Sequence, residues 1–189
     1  MPRLFTALAL PPDLADQLAD LAMPLAGARW IEPEDMHITL RFAGDIDNPT
    51  AREFHAALSA VEEPAFPLKL SGFGAFGGQQ PRTLWAGVAD NPWLDALARA
   101  NDRAARSAGL AHAKHPFRPH VTLARLKGTR PEAVARVLEQ LGAFESAPFA
   151  VEEFLLMSSK PKVGGGPYVV EEAFPLGGTD AGQSRWSAL

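Results

Sequence analysis

The chain has 189 residues, of which 47% are hydrophobic and 21% charged, a composition typical of a globular protein with a substantial core. It contains no cysteine, which excludes disulfides, cysteine-ligated zinc sites and thiol nucleophiles. The net charge of −4 argues against a protein that coats nucleic acid nonspecifically, and no apolar run approaches the ~18 residues that a membrane span requires.

The first part of the sequence predicts strands that alternate with helices. Residues 3–10 form a predicted strand. The N-terminus could also pass for a weak signal peptide, but Pro11, Pro12 and Asp13 stand where its small-residue cleavage site should lie, so we expect a cytoplasmic protein. The leucines of the helix that these prolines open recur at helical spacing: Leu14, Leu18, Leu21 and Leu25. Two Asn-Pro pairs, beginning at Asn48 and Asn91, each predict a helix with the asparagine as its N-cap.

The remaining predicted elements complete an α+β pattern. Further predicted strands cover residues 28–32, 36–42, 67–76, 83–89, 118–126, 151–158 and 168–174, and a helix opens at Pro131. Several strands are joined by short turns, which favours antiparallel sheets with helices outside. We expect a flexible turn at residues 160–167, a single domain over residues 1–176 and a polar tail at residues 177–189.

One four-residue pattern occurs twice in the chain. Its copies are His37-Ile38-Thr39-Leu40 and His120-Val121-Thr122-Leu123. Both copies lie in predicted strands, where residues i and i+2 project from the same face, so each strand presents an imidazole beside a hydroxyl. Because a proline precedes each copy and an apolar-rich helix follows it, the repeat predicts two pseudo-symmetric lobes that face each other across a central cleft.

A pair of histidines is suited to proton transfer. Imidazole titrates near neutrality, so one member of a pair can donate a proton while the other accepts one. Threonine hydroxyls beside them can donate hydrogen bonds to an oxyanion. Two imidazoles and two hydroxyls around one cleft therefore predict in-line displacement at phosphorus, with neither a metal ion nor a cofactor required.

Basic residues are concentrated around the second motif. Between positions 99 and 130, Asp102 is the one acidic residue, and the basic residues are Arg99, Arg103, Arg106, Lys114, Arg118, Arg125, Lys127 and Arg130. Such a run is common on the solvated face of a helix, where it has no specific role. The functional alternative is a locally positive region that favours an anionic substrate.

Stretches beyond the two motifs carry a resemblance to a known family. They are residues 3–5, 10–11, 29–31 and 81–88, together with residues 34–44 and 117–125, which extend the motifs on both sides. Together with the motifs they resemble the 2H phosphoesterase superfamily, and within it the RNA 2′,3′-cyclic phosphodiesterases, also called 2′-5′ RNA ligases. This resemblance covers nearly the whole chain. It implies metal-independent hydrolysis of RNA 2′,3′-cyclic phosphate ends to 2′-phosphomonoesters, with reversible 2′-5′ RNA ligation as a further activity.

The resemblance also implies a role for each motif residue. In the family, the histidine of the first motif is taken as the proton donor and that of the second as the proton acceptor. Carried over, His37 protonates the leaving 3′-oxygen and His120 activates water. Thr39 and Thr122 would hold phosphate oxygens.

Two further residues match family positions but conflict with simple strand geometry. Arg125 resembles a phosphate-contacting arginine, and Phe42 resembles an aromatic residue that stacks on the terminal base, although a phenylalanine is more commonly found in a core. Each lies five residues after its histidine, which strict alternation places on the opposite face. Since both stand near a predicted strand end, the family roles require a bulge or a turn there.

Three alternatives remain open from the sequence. The chain could be a 2H phosphodiesterase that acts on another small cyclic phosphate or a 2′-5′ oligonucleotide. It could be a noncatalytic module that binds RNA ends, although binding alone would not need two titrating groups. His112, His115 and His120 could form a metal site, but His112 and His115 lie in a predicted loop without a nearby carboxylate and His120 already belongs to the histidine pair, so we expect none. We expect a monomer that binds RNA ends or small cyclic nucleotides, with no membrane or obligate protein partner.

Overall fold

The computed structural model of the protein describes residues 3–113, 115–159 and 168–177. Lys114, the predicted turn at residues 160–167 and residues 178–189 of the predicted tail lie outside the described residues. The strands are β1 (Arg3–Ala9), β2 (Ala28–Trp30), β3 (His37–Asp45), β4 (Phe66–Leu68), β5 (Leu70–Phe76), β6 (Thr83–Val88), β7 (His120–Leu126), β8 (Phe149–Val151), β9 (Glu153–Ser159) and β10 (Tyr168–Pro175). The α-helices are α1 (Pro12–Ala19), α2 (Asn48–Ser59), α3 (Pro92–Ser107) and α4 (Pro131–Leu141), and a 3-10 helix covers Pro33–Asp35.

Most strands belong to one antiparallel sheet. Its order is β10-β9-β1-β3-β7-β6-β5, and β2 lies beside β7, whereas β4 and β8 pair separately. The two histidine strands, β3 and β7, pair only at Ile38 and Val121. This single pair divides the sheet into two four-stranded halves, each of which contains one histidine strand. The predicted α+β fold with two antiparallel lobes is confirmed, and the two lobes share one continuous hydrogen-bonded path.

The apolar positions of both motifs face the helices. Ile38 and Val121 are completely buried in the main core, together with Phe54 of α2 and Leu97 of α3. A smaller cluster under the second lobe packs the sheet against α4, and it contains Leu84, Ala124, Leu126, Val134 and Val137. Because side chains alternate along a strand, burying the apolar residues directs the histidines and threonines to the opposite face of the sheet. We call this opposite face, around His37 and His120, the motif face.

Several predicted boundaries were wrong. Helix α1 ends at Ala19, so Leu21 and Leu25 lie beyond it. Pro24 stands in that stretch, and a proline disfavours helical geometry both at its own position and at the preceding residue. The predicted strand at residues 67–76 is divided into β4 and β5, which pair with β8 and β6 respectively.

Of the two predicted asparagine caps, one is confirmed and one is wrong. Asn91 is the N-cap of α3, and its side-chain oxygen accepts hydrogen bonds from the N–H groups of the next helical residues. Helix α2 is instead capped by Asp47, whose carboxylate accepts from the Thr50 N–H at 2.9 Å, and Asn48 is its first residue. Aspartate is as good an N-cap as asparagine, so the local sequence offered two competing choices. None of the α-helices in the described ranges combines the length and the apolar character needed to cross a bilayer.

Candidate active site

The two His-x-Thr motifs lie side by side where the lobes meet. Extending the single antiparallel pair between β3 and β7 by one residue in each direction sets His37 opposite Thr122 and Thr39 opposite His120. All four side chains are half-buried and project from the motif face. The structure thus brings together on one surface the four residues that the sequence singled out.

Each histidine is oriented by a backbone carbonyl two residues before it. His37 Nδ1 lies 2.8 Å from the Asp35 carbonyl oxygen, and His120 Nδ1 lies 2.7 Å from that of Arg118. Because a carbonyl oxygen can only accept, Nδ1 must carry a hydrogen in both rings and donate it. In both residues Nε2 is therefore the nitrogen that can exchange a proton with a substrate. A neutral ring is a base at Nε2, and a charged ring is an acid there.

An aromatic ring also contacts each imidazole. The Tyr168 ring centroid lies 4.9 Å from that of His37 at 83°, and the Phe76 centroid lies 4.9 Å from that of His120 at 84°. These are edge-to-face contacts, a preferred arrangement of aromatic pairs. Each imidazole is thus held on one side by a carbonyl and on another by a ring, in the same way in both lobes.

The surroundings lower the affinity of both histidines for protons. Burial lowers the pKa of His37 below its usual value, and the positive charges of Arg125 and His120 lower it further. Burial likewise lowers the pKa of His120, with a further contribution from Arg125. The carbonyl hydrogen bonds raise the pKa values but do not reverse the shifts. Both rings are therefore mostly neutral at pH 7, and an anion bound between them would favour protonation of one.

A β-bulge returns Arg125 to the motif face. Consecutive residues of β6 pair with Thr122 and Ala124, so Leu123 is an extra residue in β7. Leu123 and Ala124 are both buried, whereas Arg125 is exposed. The bulge shifts the alternation by one position, so the Arg125 side chain projects from the same side as that of His120.

The first histidine strand has a bulge at the equivalent position. Consecutive residues of β1 pair with Thr39 and Arg41, so Leu40 is the extra residue in β3. The Phe42 side chain is 57% exposed, on the motif face. The bulge that the family roles of Phe42 and Arg125 required is therefore present in both strands, and strict alternation gave the wrong face for both residues.

The described structure does not arrange His112, His115 and His120 as the metal-site alternative would require. His112 Nδ1 lies 3.4 Å from the Asp102 carboxylate, and His115 is exposed. Across residues 3–113, 115–159 and 168–177, no group of three or more histidine, cysteine, aspartate or glutamate side chains is arranged to hold a metal ion. His112 is instead paired with Asp102, whereas His120 Nδ1 is bonded to the Arg118 carbonyl.

A cavity of about 620 Å³ lies away from the motifs. It is lined by Leu4, Asn48, Ala51, Arg52, His55, Leu156, Glu171 and Glu172. None of the residues predicted to act in the reaction lines it. The candidate active site is therefore the motif face, not this cavity between α2 and the β9–β10 side of the sheet.

Comparison with known proteins identifies the family. A family model described as the 2′-5′ RNA ligase superfamily matches residues 10–162. The chain belongs to the 2′-5′ RNA ligase superfamily. Among curated relatives of this superfamily member, the RNA 2′,3′-cyclic phosphodiesterase of Aeropyrum pernix is 35% identical over 151 residues, which cover 77% of this chain and 83% of the relative. A protein of the same name from Aquifex aeolicus is 33% identical over 156 residues, covering 79% and 82%.

Solved structures agree with this assignment. E. coli LigT complexed with 3′-AMP matches this superfamily member with a TM-score of 0.74 and 26% identity, covering 93% of this chain and 99% of LigT. A structure from Thermus thermophilus gives a TM-score of 0.75 at 27% identity, covering 94% and 100%. The resemblance read from the sequence motifs is therefore confirmed at the level of family and fold.

The structure of this superfamily member also adds residues that the sequence argument did not place at the site. Arg29 of β2 pairs directly with Arg125 of β7, and cross-strand partners project from the same face. Tyr168 of β10 contacts the His37 ring. Both contacts join strands that are far apart in sequence, so a local pattern carries no signal for them. The occurrence of Arg29 in one of the family-like stretches was the one available indication.

Proposed function

We propose that this protein hydrolyses RNA 2′,3′-cyclic phosphate ends to 2′-phosphomonoesters by paired-histidine acid–base catalysis. The observation that carries the proposal is the matched pair of imidazoles, each with Nδ1 committed to a carbonyl and Nε2 available on the motif face. Acid and base can thus both be supplied by protein side chains. The names of the relatives from Aeropyrum pernix and Aquifex aeolicus support the same reaction.

In the proposed reaction, the two histidines act on opposite sides of phosphorus. Neutral His120 accepts a proton at Nε2 from a water molecule, whose oxygen attacks the phosphorus in line with the 3′-oxygen. The bond from phosphorus to the 3′-oxygen breaks, and protonated His37 donates its Nε2 proton to that oxygen. The product has a 2′-phosphate and a free 3′-hydroxyl, and proton exchange with water restores both rings.

The neighbouring side chains fit the charge that develops in this reaction. Thr39 and Thr122 lie beside the histidines across the β3–β7 pair, where their hydroxyls can donate hydrogen bonds to the non-bridging oxygens. Arg125 contributes a guanidinium, which suits a phosphate group in both charge and geometry. The exposed ring of Phe42 supplies a surface on which the terminal base can stack.

The same proton transfers also suit a related reaction. If the 5′-hydroxyl of a second RNA replaces water as the nucleophile, its oxygen bonds to phosphorus and a 2′-5′ linkage forms. We propose this ligation as a secondary activity, and an assay that contains RNA with a free 5′-hydroxyl would detect it. A monomeric state and a cytoplasmic location stay predictions, which sizing and fractionation experiments test.

Hydrolysis of a nucleoside 2′,3′-cyclic phosphate and of a short RNA with that end, both in EDTA, tests the proposal. We expect His37→Ala and His120→Ala each to reduce turnover about 100-fold or more, the scale typical of losing general acid–base catalysis. His55→Ala is the matched control, because His55 lies in helix α2, remote from the motifs.

The products and the metal dependence distinguish the alternatives. Separation of the isomers should show the 2′-phosphate. Turnover that appears only after addition of a divalent metal would favour a metal-dependent site. Retained RNA binding without turnover in either condition would favour a noncatalytic module.

A further inference from the structure

Arg41 is a buried charge that the proposed reaction does not use. It lies in β3 next to the bulge at Leu40, and both residues face the helices. Only 9% of Arg41 is exposed. A buried charge is tolerated when it is paired and fully hydrogen-bonded, and filling space alone would be served better by an apolar side chain. The contacts of Arg41 therefore indicate what it does.

The guanidinium of Arg41 joins three separate parts of the chain. Its Nε donates to the Asp102 carboxylate of helix α3 at 2.8 Å, within an ion pair whose two side chains are 10% and 21% exposed. One terminal nitrogen donates to the carbonyl of Phe42, and the other donates to the carbonyl of Ala111. A rigid planar group with donors in several fixed directions is suited to holding acceptors at a set spacing.

These bonds anchor the end of β3 that carries Phe42. The Phe42 ring is exposed on the motif face, while its backbone carbonyl accepts from Arg41. The same guanidinium is bonded to helix α3 through Asp102 and to the carbonyl of Ala111, which follows that helix. Arg41 therefore fixes the backbone at Phe42 relative to α3 and Ala111.

We propose that Arg41 is a positioning residue that determines specificity for a nucleotide over a cyclic phosphate without a base. It holds the backbone of Phe42 in place against helix α3 and Ala111, so that a base stacked on the Phe42 ring and a phosphate between the motifs are bound together. Arg41 itself lies on the helical side of the sheet and acts through Phe42. This inference rests on the proposed function, because it assigns the determinant of substrate class at the same site.

A conservative substitution of Arg41 provides the test. Arg41→Lys keeps the positive charge near Asp102, but one ammonium group cannot replace the three directed bonds. The readout is the ratio of kcat/KM for a nucleoside 2′,3′-cyclic phosphate to that for glycerol 1,2-cyclic phosphate, which has no base. We expect the ratio to fall about 10-fold, mainly through KM of the nucleotide, since base stacking on an aromatic ring contributes on this scale.

Two comparisons separate positioning from a general structural role. Arg3→Lys is the matched control, because Arg3 forms an exposed ion pair with Asp45 on the neighbouring strand at 3.2 Å, and its ratio should equal that of the wild type. In a double-mutant cycle, Arg41→Lys combined with Phe42→Ala should lower the ratio no further than Phe42→Ala alone, since both changes remove the same base contact. Asp102→Asn supplies the same comparison if Arg41→Lys does not fold.

An unchanged ratio in Arg41→Lys, or losses that multiply in the double variant, would overturn the inference. Failure of the proposed function is a different result, since wild-type protein would then hydrolyse neither cyclic phosphate. In that case the affinity for 2′-AMP, relative to inorganic phosphate, tests the positioning role directly. Arg41→Lys should weaken 2′-AMP binding about 10-fold, and equal affinity in the two proteins contradicts the role.

Discussion

At the residue scale, the proposed reaction depends on the protonation states of two imidazoles whose pKa values are both lowered. Burial is the main cause for His37 and for His120. The proposed mechanism needs one ring protonated and the other neutral, so activity should fall when pH drops below both pKa values and when it rises above both. Since both values lie below that of an ordinary histidine, the acidic member loses its proton before neutrality in the free protein.

We therefore expect a bell-shaped pH profile of kcat/KM with its maximum on the acidic side of neutrality. The limb on the alkaline side should report the higher of the two lowered pKa values. Steady-state rates on a nucleoside 2′,3′-cyclic phosphate, measured across the mildly acidic to mildly alkaline range, check this expectation. A maximum on the alkaline side would contradict it.

The positive charge of Arg125 contributes to both pKa shifts, so its removal should move the same profile. In Arg125→Gln, both imidazoles lose a repulsive neighbour, their pKa values rise, and the alkaline limb moves to higher pH. The maximal kcat/KM should also fall roughly 10- to 100-fold, because charge-assisted hydrogen bonds to phosphate are lost. Arg99→Gln, on the exposed face of α3, is the control. A lower rate with an unmoved profile would show that Arg125 binds substrate without tuning the histidines.

The residues of the site differ in how far the sequence could reveal them. His37, Thr39, His120 and Thr122 were found because their pattern is local and repeated. Arg29 was missed because its place at the site comes from strand pairing between residues distant in the chain. A local pattern indicates what a strand presents, whereas it does not indicate which strand lies beside it.

At the element scale, the packing of strand β5 against β6 supports the second histidine. Gly74 lies under the indole of Trp85, and a Cβ at this position would stand 2.3 Å from the ring. The Trp85 ring centroid is 5.2 Å from that of Phe76, which contacts His120 edge-to-face. The missing side chain at Gly74 therefore leaves the space in which this layer of rings packs.

Gly74→Ala should displace the Trp85 indole and loosen the support of His120. We expect a change in tryptophan fluorescence and a decrease in kcat of roughly 10- to 100-fold, since small misplacements of a catalytic group are costly. Gly109→Ala is the control for stability, because Gly109 has a positive φ of 81° and open space around it. That variant should lose about 1 kcal/mol of stability and keep its kcat. Equal kcat in Gly74→Ala and the wild type would show that the ring layer does not position His120.

The elements themselves were predictable where the signal is local. Asn91 caps α3 as predicted, because the donors that it satisfies belong to the next few residues. The bulges at Leu40 and Leu123 could be required by argument but not located, since a bulge is defined by the pairing of two strands. Pairing partners also explain why one predicted strand became β4 and β5.

At the scale of the whole molecule, the two lobes repeat one design with one asymmetry. Each has a histidine strand with a carbonyl-bound Nδ1, an edge-to-face ring and a bulge three residues after the histidine. The lobes differ at the fifth residue, which is Phe42 in one and Arg125 in the other. The α+β class followed from the predicted elements and their short turns, and the two lobes followed from the repeat. The single pair that joins the lobes is instead a long-range contact with no local signal. In the proposed reaction the base lies toward Phe42 and the phosphate toward Arg125, so this asymmetry would assign different roles to two similar imidazoles.

A substrate with sulfur in place of the bridging 3′-oxygen tests this division of roles. A thiolate is a far weaker base than an alkoxide and leaves without a proton donor, so the general acid becomes dispensable. We expect His37→Ala to recover to within about 10-fold of the wild-type rate on this substrate, whereas His120→Ala keeps its ~100-fold loss because water must still be activated. His55→Ala should match the wild type on both substrates. Recovery of His120→Ala instead would assign the acid to the second lobe and reverse the orientation of the substrate. Recovery of neither would mean that the paired imidazoles do not divide acid and base between the two oxygens, although both lie on the motif face.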